Sequence, residues 1–324
     1  MRYTQPLVGN QHIQTYLQKT IKNGTIANAQ LWLGPEHVGK STFLINYLLS
    51  LNCQQRTAEQ TPCLKCQQCQ SLQRDNYTNI IWLNAADKAV KFDAIKQARG
   101  SSLHSSLYQG VRALVIEQAD RLHAAASNAL LKLLEEPPVG LYLFLLSSDR
   151  ERILPTIASR CLTLNFTSVA VVDLQAGFPQ VSSQTIALAQ GLPGQVQLFL
   201  AQPKSEAQRL KLLTTWVQIM QTEALSARLQ LAQSWFNQDK SGQSGLQPVL
   251  SSLSLVLHDI LTIQAQHVAQ SPDLPYASEL HVIAQRRTLA ETVAALHKTQ
   301  TLWHRQLTTP IQKKLALTNL LLAI

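Results

Sequence analysis

The stretch Gln30-Leu31-Trp32-Leu33-Gly34-Pro35-Glu36-His37-Val38-Gly39-Lys40-Ser41-Thr42-Phe43 decides the fold. A short apolar run passes into Gly-x4-Gly-Lys-Ser, and the residues after it, Lys40 to Leu51, have helical character. Strand, glycine-rich loop and helix in that order make a phosphate-binding loop. Gly34 and Gly39 let the backbone curl so that its N–H groups face phosphate oxygens. Lys40 can reach the β- and γ-phosphates, and Ser41 or Thr42 can ligate Mg²⁺. ATP with Mg²⁺ is the ligand such a loop is built for.

Working outward, a helix is expected from about Asn10 to Asn23, with Ile13, Leu17 and Ile21 on one stripe. Downstream, strands are expected at Asn79–Leu83, Arg112–Ile116, Leu141–Leu146 and Leu162–Phe166, and helices at about Phe92–Leu107 and 121–135, the latter stopped by Pro137-Pro138. Apolar strands alternating with helices predict an α/β domain, a parallel sheet with helices on both faces. The character changes after Phe166. Residues 167–204 hold several turn formers, among them Gly177, Pro179, Gly191, Pro193 and Gly194, and read as a small helical lid. Residues 205–324 are helical in pattern and read as an all-α collar or oligomerisation domain, in which Trp216, Trp235 and Trp303 are expected core anchors. The expected domains are therefore 1–166, 167–204 and 205–324.

The strand Ala113-Leu114-Val115-Ile116 ends in Glu117-Gln118. An acid at the first position can hold Mg²⁺ through water. The second position is where a hydrolase places the carboxylate that polarises the attacking water, and an amide cannot take that proton. The site reads as able to bind nucleotide and ill equipped to hydrolyse it.

Four of the five cysteines fall within 17 residues, as Cys53-x9-Cys63-x2-Cys66-x2-Cys69. In a reducing compartment such clustering favours a metal over disulfides, and four thiolates close a tetrahedral structural zinc site at residues 53–69. Cys161 stands apart.

The net charge is +9. Residues 1–165 carry 17 basic and 11 acidic side chains, a surplus suited to contact with phosphates. No apolar run reaches the roughly 18 residues of a membrane span, and the first residues lack the apolar segment of a secretion signal. A cytoplasmic protein without membrane contact is expected.

With these motifs in place, the chain resembles bacterial clamp-loader subunits of the AAA+ class, most nearly the delta-prime type of DNA polymerase III. Leu31 through Thr42 matches the phosphate loop, and the four cysteines follow in what is expected to be a helical insertion. Glu117-Gln118-Ala119-Asp120-Arg121-Leu122, Asn128-Ala129-Leu130-Leu131-Lys132-Leu133-Leu134-Glu135-Glu136-Pro137-Pro138 and Thr156-Ile157-Ala158-Ser159-Arg160-Cys161 stand in family order. The resemblance is dense over residues 5–166 and only architectural beyond. It implies that Arg160 is an arginine finger acting on a neighbour's nucleotide, and that Ser147 or Ser148 lies where the γ-phosphate is sensed, Ser148 being the choice made from sequence. It also implies that Gly191-Leu192-Pro193-Gly194-Gln195 replaces a stretch that carries an arginine in the hydrolysing subunits. The implied partners are gamma/tau-like ATPases, a delta-like subunit, the sliding clamp, and primed DNA contacted through its phosphates without sequence preference. Two alternatives stay open: an ATP-hydrolysing gamma/tau-like motor, and a zinc-bearing adaptor with an inert loop.

Overall fold

A computed structural model describes residues 6–74, 79–85, 110–238, 246–265, 274–308 and 313–322. The helix expected at 92–107 lies outside the described residues. Two compact units are present: Met1–Gly177 with Gly191–Gly194, and Phe178–Gln190 with Gln195–Ile324. Residues 167–204 are thus divided between the two units.

The first unit contains α1 (Gln11–Asn23), β1 (Ala29–Leu33), α2 (Lys40–Asn52), α3 (Gln67–Gln73), β2 (Ile80–Asn84), β3 (Arg112–Glu117), α4 (Ala124–Glu135), β4 (Leu141–Ser147), α5 (Pro155–Ala158), β5 (Leu162–Asn165) and α6 (Val171–Gly177). The five strands form one sheet in the order β2-β3-β4-β1-β5, and every neighbouring pair is parallel. β1 is central. It matches Leu33 to Ser147 on one side and to Asn165 on the other.

Side chains alternate across a strand, so a sheet covered on both faces needs apolar residues in unbroken runs. That requirement explains the composition of β1, β3 and β4. Trp32, Ala113, Val115, Phe144 and Leu146 feed one core with Ile13, Leu17, Phe43, Leu44 and Leu48 from α1 and α2. Leu31, Leu33, Leu114, Ile116, Leu143 and Leu145 feed the other with Leu130, Leu133 and Leu134 from α4. The first core has an aromatic centre: the rings of Trp32 and Phe166 lie 5.3 Å apart, and Phe144 meets Trp32 edge-on at 6.1 Å. The doubly covered parallel sheet expected of an AAA+ phosphate-loop domain is the one observed.

Two local expectations need correction. The cysteine-bearing insertion is helical only over α3; residues 54–66 are turns and extended chain. The helix expected from 121 begins at Ala124. Gln118 is left-handed, Ala119–Arg121 is a single tight helical turn, and Leu122 is extended, so helical geometry starts only after His123.

Among its described residues the second unit has only helices as regular elements. It contains α7 (Ser183–Ala189), most of α8 (Pro193–Ala201), and α9 (Pro203–Gln221), α10 (Leu225–Gln238), α11 (Gln247–Gln264), α12 (Ala277–Arg286), α13 (Leu289–Thr308) and α14 (Lys313–Leu321). α11 is the central element: Leu250, Leu253, Val256, Leu257 and Ile260 form one fully buried stripe, and α9, α12 and α13 pack against the helix. Trp216 is also fully buried, and its indole N–H donates to the Val249 carbonyl at 3.0 Å. Trp303 is half-buried, and the side chain of Trp235 is outside the described set.

Candidate functional site

The phosphate loop leaves the C-terminal end of β1 wedged between two strands. The Gly34 N–H donates to the Ser147 carbonyl at 3.2 Å, and the Phe166 N–H to the Leu33 carbonyl at 2.7 Å. A Cβ on Gly34 would lie 2.4 Å from the Phe166 carbonyl oxygen, at φ +149°, so this close approach requires glycine. Gly39 (φ +104°) opens α2, and its missing Cβ would have no heavy atom nearer than 3.8 Å, which leaves room over the helix N-terminus. His37 holds φ +64° without a glycine's freedom, and its carbonyl accepts the Gly194 N–H at 2.8 Å.

The Lys40 ammonium donates to the carbonyls of Gly34 at 2.5 Å and Pro35 at 2.8 Å. Burial pulls its pKa down to about 8, against the opposing pull of the Glu36 and Asp120 carboxylates. Ser41 Oγ donates to Glu117 Oε1 at 2.9 Å. β3 therefore delivers Glu117 to the start of α2, and a hydroxyl and a carboxylate stand together as the hard oxygen donors that suit Mg²⁺. Thr42 follows on the same turn of α2. Gly34, Gly39, Lys40, Ser41, Thr42 and Glu117 thus fit a nucleotide with its magnesium ion. Gln118 follows Glu117, at the position where the sequence leads us to expect a hydrolase's base. Its backbone is left-handed (φ 52°), and its amide oxygen is buried with no hydrogen-bond partner among the described residues.

At the end of β4 it is Ser147 that faces this network, while Ser148 is exposed. Ser147 Oγ donates to Asp120 Oδ1 at 2.9 Å, and the Ser148 contribution is its backbone N–H, 3.3 Å from the same oxygen. Asp120 is 9% exposed and close enough to Lys40 to support its charge. Sequence reasoning gave Asp120 no task beyond its place in a motif. The only available signal was a charged residue beginning a turn after a buried strand.

Arg160 lies elsewhere. α5 carries it to a point two residues before Leu162, and Leu162 pairs with Gln30 near the start of β1, whereas the phosphate loop follows Leu33. Arg160 therefore stands at the N-terminal edge of the sheet, opposite the edge that bears its own phosphate loop. Its Nη1 donates to the Thr156 carbonyl at 3.1 Å and its Nη2 to Glu135 Oε1 at 3.0 Å, with the two side chains 39% and 51% exposed. An ion pair so exposed contributes about 0–1 kcal/mol to stability, so it does not require the arginine for folding.

The second cluster is held at the far end of α2. Cys53 is that helix's C-cap, and Cys63, Cys66 and Cys69 come from the turn and α3 that follow. All four Sγ atoms lie within 4.8 Å of one another, and those of Cys53 and Cys66 are 4.0 Å apart. Four thiolates about 2.3 Å from one zinc ion would stand about 3.8 Å apart, so the cluster could hold such a metal with little movement. The N–H groups of Gln55 and Cys63 point at Cys53 Sγ at 3.4 and 3.3 Å, and that of Cys66 at Cys63 Sγ at 3.3 Å. Such donors favour thiolates. At Cys66, burial works against the charge but is outweighed by backbone and thiol hydrogen bonds, which bring its pKa down to about 6. Burial pushes Cys69 up. Leu64 sits in the left-handed region (φ 58°), which makes the Cys63–Cys66 turn tight. Cys161, its thiol pushed up to about 11 by burial, belongs to neither site.

Among the described residues no helix is long and apolar enough to cross a membrane. The profile of the family described as DNA polymerase III, delta subunit, matches residues 9–170. The chain is 26% identical over 178 residues to the DNA polymerase III subunit tau/gamma of Haemophilus influenzae, covering 55% of this chain and 26% of that protein. It is 30% identical over 161 residues to subunit gamma of Buchnera aphidicola subsp. Acyrthosiphon pisum, covering 50% and 44%. It is 33% identical over 138 residues to subunit delta' of Pseudomonas aeruginosa, covering 42% of each. The chain spans less than half the length of these curated relatives.

Proposed function

We infer a non-motor role in clamp loading for this chain, which belongs to the DNA polymerase III delta subunit family. In this reading it is a delta-prime-like stator of a clamp loader, seated beside gamma/tau-like ATPases and a delta-like subunit. It helps open the sliding clamp and place it on primed DNA, touching DNA through phosphates without sequence preference. The three expected parts take three tasks: residues 1–166 present the sites, 167–204 act as a lid, and 205–324 form the collar that joins the subunits. The four cysteines hold one structural zinc ion.

The observation that carries the reading is the opposition of the two edges. At one edge the chain has a phosphate loop whose second acid position is Gln118. At the other, it offers Arg160 where its own loop is out of reach. A guanidinium presents a planar fork to phosphoryl oxygens and can supply across a subunit boundary the charge a neighbour's transition state needs. When bound, ATP with Mg²⁺ would lie on Gly39, Lys40, Ser41 and Glu117 and brace the domain, with little hydrolysis.

The test is Arg160→Ala in a ring reconstituted with the ATPase subunits. An arginine finger serving a site alone is worth about 10³-fold or more in turnover at that site. The ring's clamp-stimulated ATPase and loading should fall, with folding, metal content and assembly unchanged. Undiminished loading by a ring carrying Arg160→Ala would refute the role. The intact loop and the Ser41–Glu117 contact favour a second reading, the gamma/tau-like motor. Turnover near 1 s⁻¹ by the lone chain, lost on Lys40→Ala, would establish it, at a rate in the range of phosphoryl-transfer enzymes at about 1–100 s⁻¹.

A further inference from the structure

Glu135 is placed where a helix does not favour an acid. It is the last residue of α4, and Glu136 caps the helix immediately after it. The partial negative charge at a helix C-terminus repels carboxylates. Pro137-Pro138 then ends the helix, which fixes Glu135 at the N-terminal edge of the sheet, just ahead of β4. Among the described residues its one ion pair is with Arg160, 25 positions away in sequence.

We propose that Glu135 is the positioning residue of Arg160, a reading that rests on the finger role inferred above. The arginine is gripped at two points. Nη1 is tied to the Thr156 carbonyl within its own turn, and Nη2 is tied to Glu135 from another element. Of the five N–H donors of a guanidinium, these contacts occupy two and leave three for phosphoryl oxygens. A long side chain held in one geometry before it meets its target loses less freedom on engagement. The grip is also reversible, because both partners are substantially exposed. Glu135 thus aims the guanidinium outward from the edge opposite its own phosphate loop, and touches no nucleotide itself.

A double-mutant cycle in the reconstituted ring tests this, read against the share of clamp-stimulated turnover that Arg160→Ala removes. Glu135→Ala should cut that share about three- to tenfold, the scale expected from releasing one rotamer-rich side chain. The loss should fall on kcat with KM unchanged, because the finger acts on charge that develops in the transition state. Glu135→Gln keeps an acceptor oxygen for Nη2 and should restore most of the activity. In the Arg160→Ala background, Glu135→Ala should have no further effect. Full or increased turnover with Glu135→Ala alone would overturn the positioning role and leave the finger standing. An additional loss in the Arg160→Ala background, or failure of Glu135→Gln to restore activity, would reassign Glu135 to structure. No loss from Arg160→Ala itself would remove both proposals together.

Discussion

Helix α2 carries one site at each end. Lys40 of the phosphate loop opens it, and Cys53 of the thiol cluster caps it. Thirteen residues at 1.5 Å each put the two sites about 20 Å apart on one rigid rod. The thiol cluster is local: its four cysteines come from one short segment, and their Sγ atoms lie within 4.8 Å of one another, close enough to hold a metal. The phosphate loop is assembled from distant pieces, with Ser41 from α2, Glu117 from β3, and Asp120 meeting Ser147 from β4. Even when assembled, it presents an amide where a base would stand. A local site can be complete by itself; a site gathered by the fold can keep its binding parts and lack a catalytic one.

The largest effect that would sharpen this contrast is at the cysteine end. Cys66→Ser should abolish stoichiometric metal binding and lower stability by about 3 kcal/mol or more, given that structural zinc contributes folding free energy directly. Metal analysis and thermal unfolding with and without chelator would show it. Protein that is metal-free yet equally stable, with all four thiols titratable, would make the cluster a relic and reverse the comparison.

The same difference decided what could be read from sequence. The cysteine spacing and the glycine loop were legible because each is a short-range pattern with a physical requirement behind it. The doubly covered sheet was legible because β1, β3 and β4 carry apolar runs on both faces, Leu31–Leu33, Ala113–Ile116 and Leu143–Leu146. The partnerships Ser147–Asp120 and Arg160–Glu135 were not, since they span 27 and 25 positions. They exist only because the strand order β2-β3-β4-β1-β5 brings those ends together. The edge on which Arg160 stands was hidden for the same reason: it follows from the pairing of Leu162 with Gln30. The late start of α4 depended on the left-handed turn at Gln118, a conformation that glutamine seldom signals.

An intermediate effect should come from Lys40. Its pKa is depressed from 10.5 to about 8, chiefly by burial. Between those values the unfolded chain binds more protons than the folded one, so stability should rise with pH from about 8 to 10.5 and be insensitive to this group below 8. Nucleotide affinity should move the other way. Phosphates require the ammonium, and above pH 8 binding must first restore its proton. Affinity for ATP should therefore be flat below pH 8 and fall up to about tenfold between pH 8 and 9. Calorimetric titration across that window would measure it, with Lys40→Met as the control that removes the slope. A flat profile in the unaltered protein would break the claim that the loop's lysine meets phosphate.

The smallest effect is expected from the most direct change, Gln118→Glu. A well-placed general base is worth about 10²–10⁴-fold, which would suggest that one substitution turns the stator into a motor. Three features oppose that outcome. The residue sits in a left-handed turn, and its amide oxygen is already buried without a partner among the described residues, so a carboxylate there would be driven to hold its proton. Asp120, two residues on, adds a like charge nearby, and Ser147 already holds it. Arg160 faces away from the chain's own loop, so the lone chain still lacks a finger, which is worth about 10³-fold or more by itself. The lone Gln118→Glu protein should consequently gain less than about tenfold in ATP turnover over the unaltered chain, measured as phosphate release at saturating ATP and Mg²⁺. A gain of about 10³-fold or more would mean that the missing carboxylate was the site's sole deficiency, and would count against the proposed stator reading.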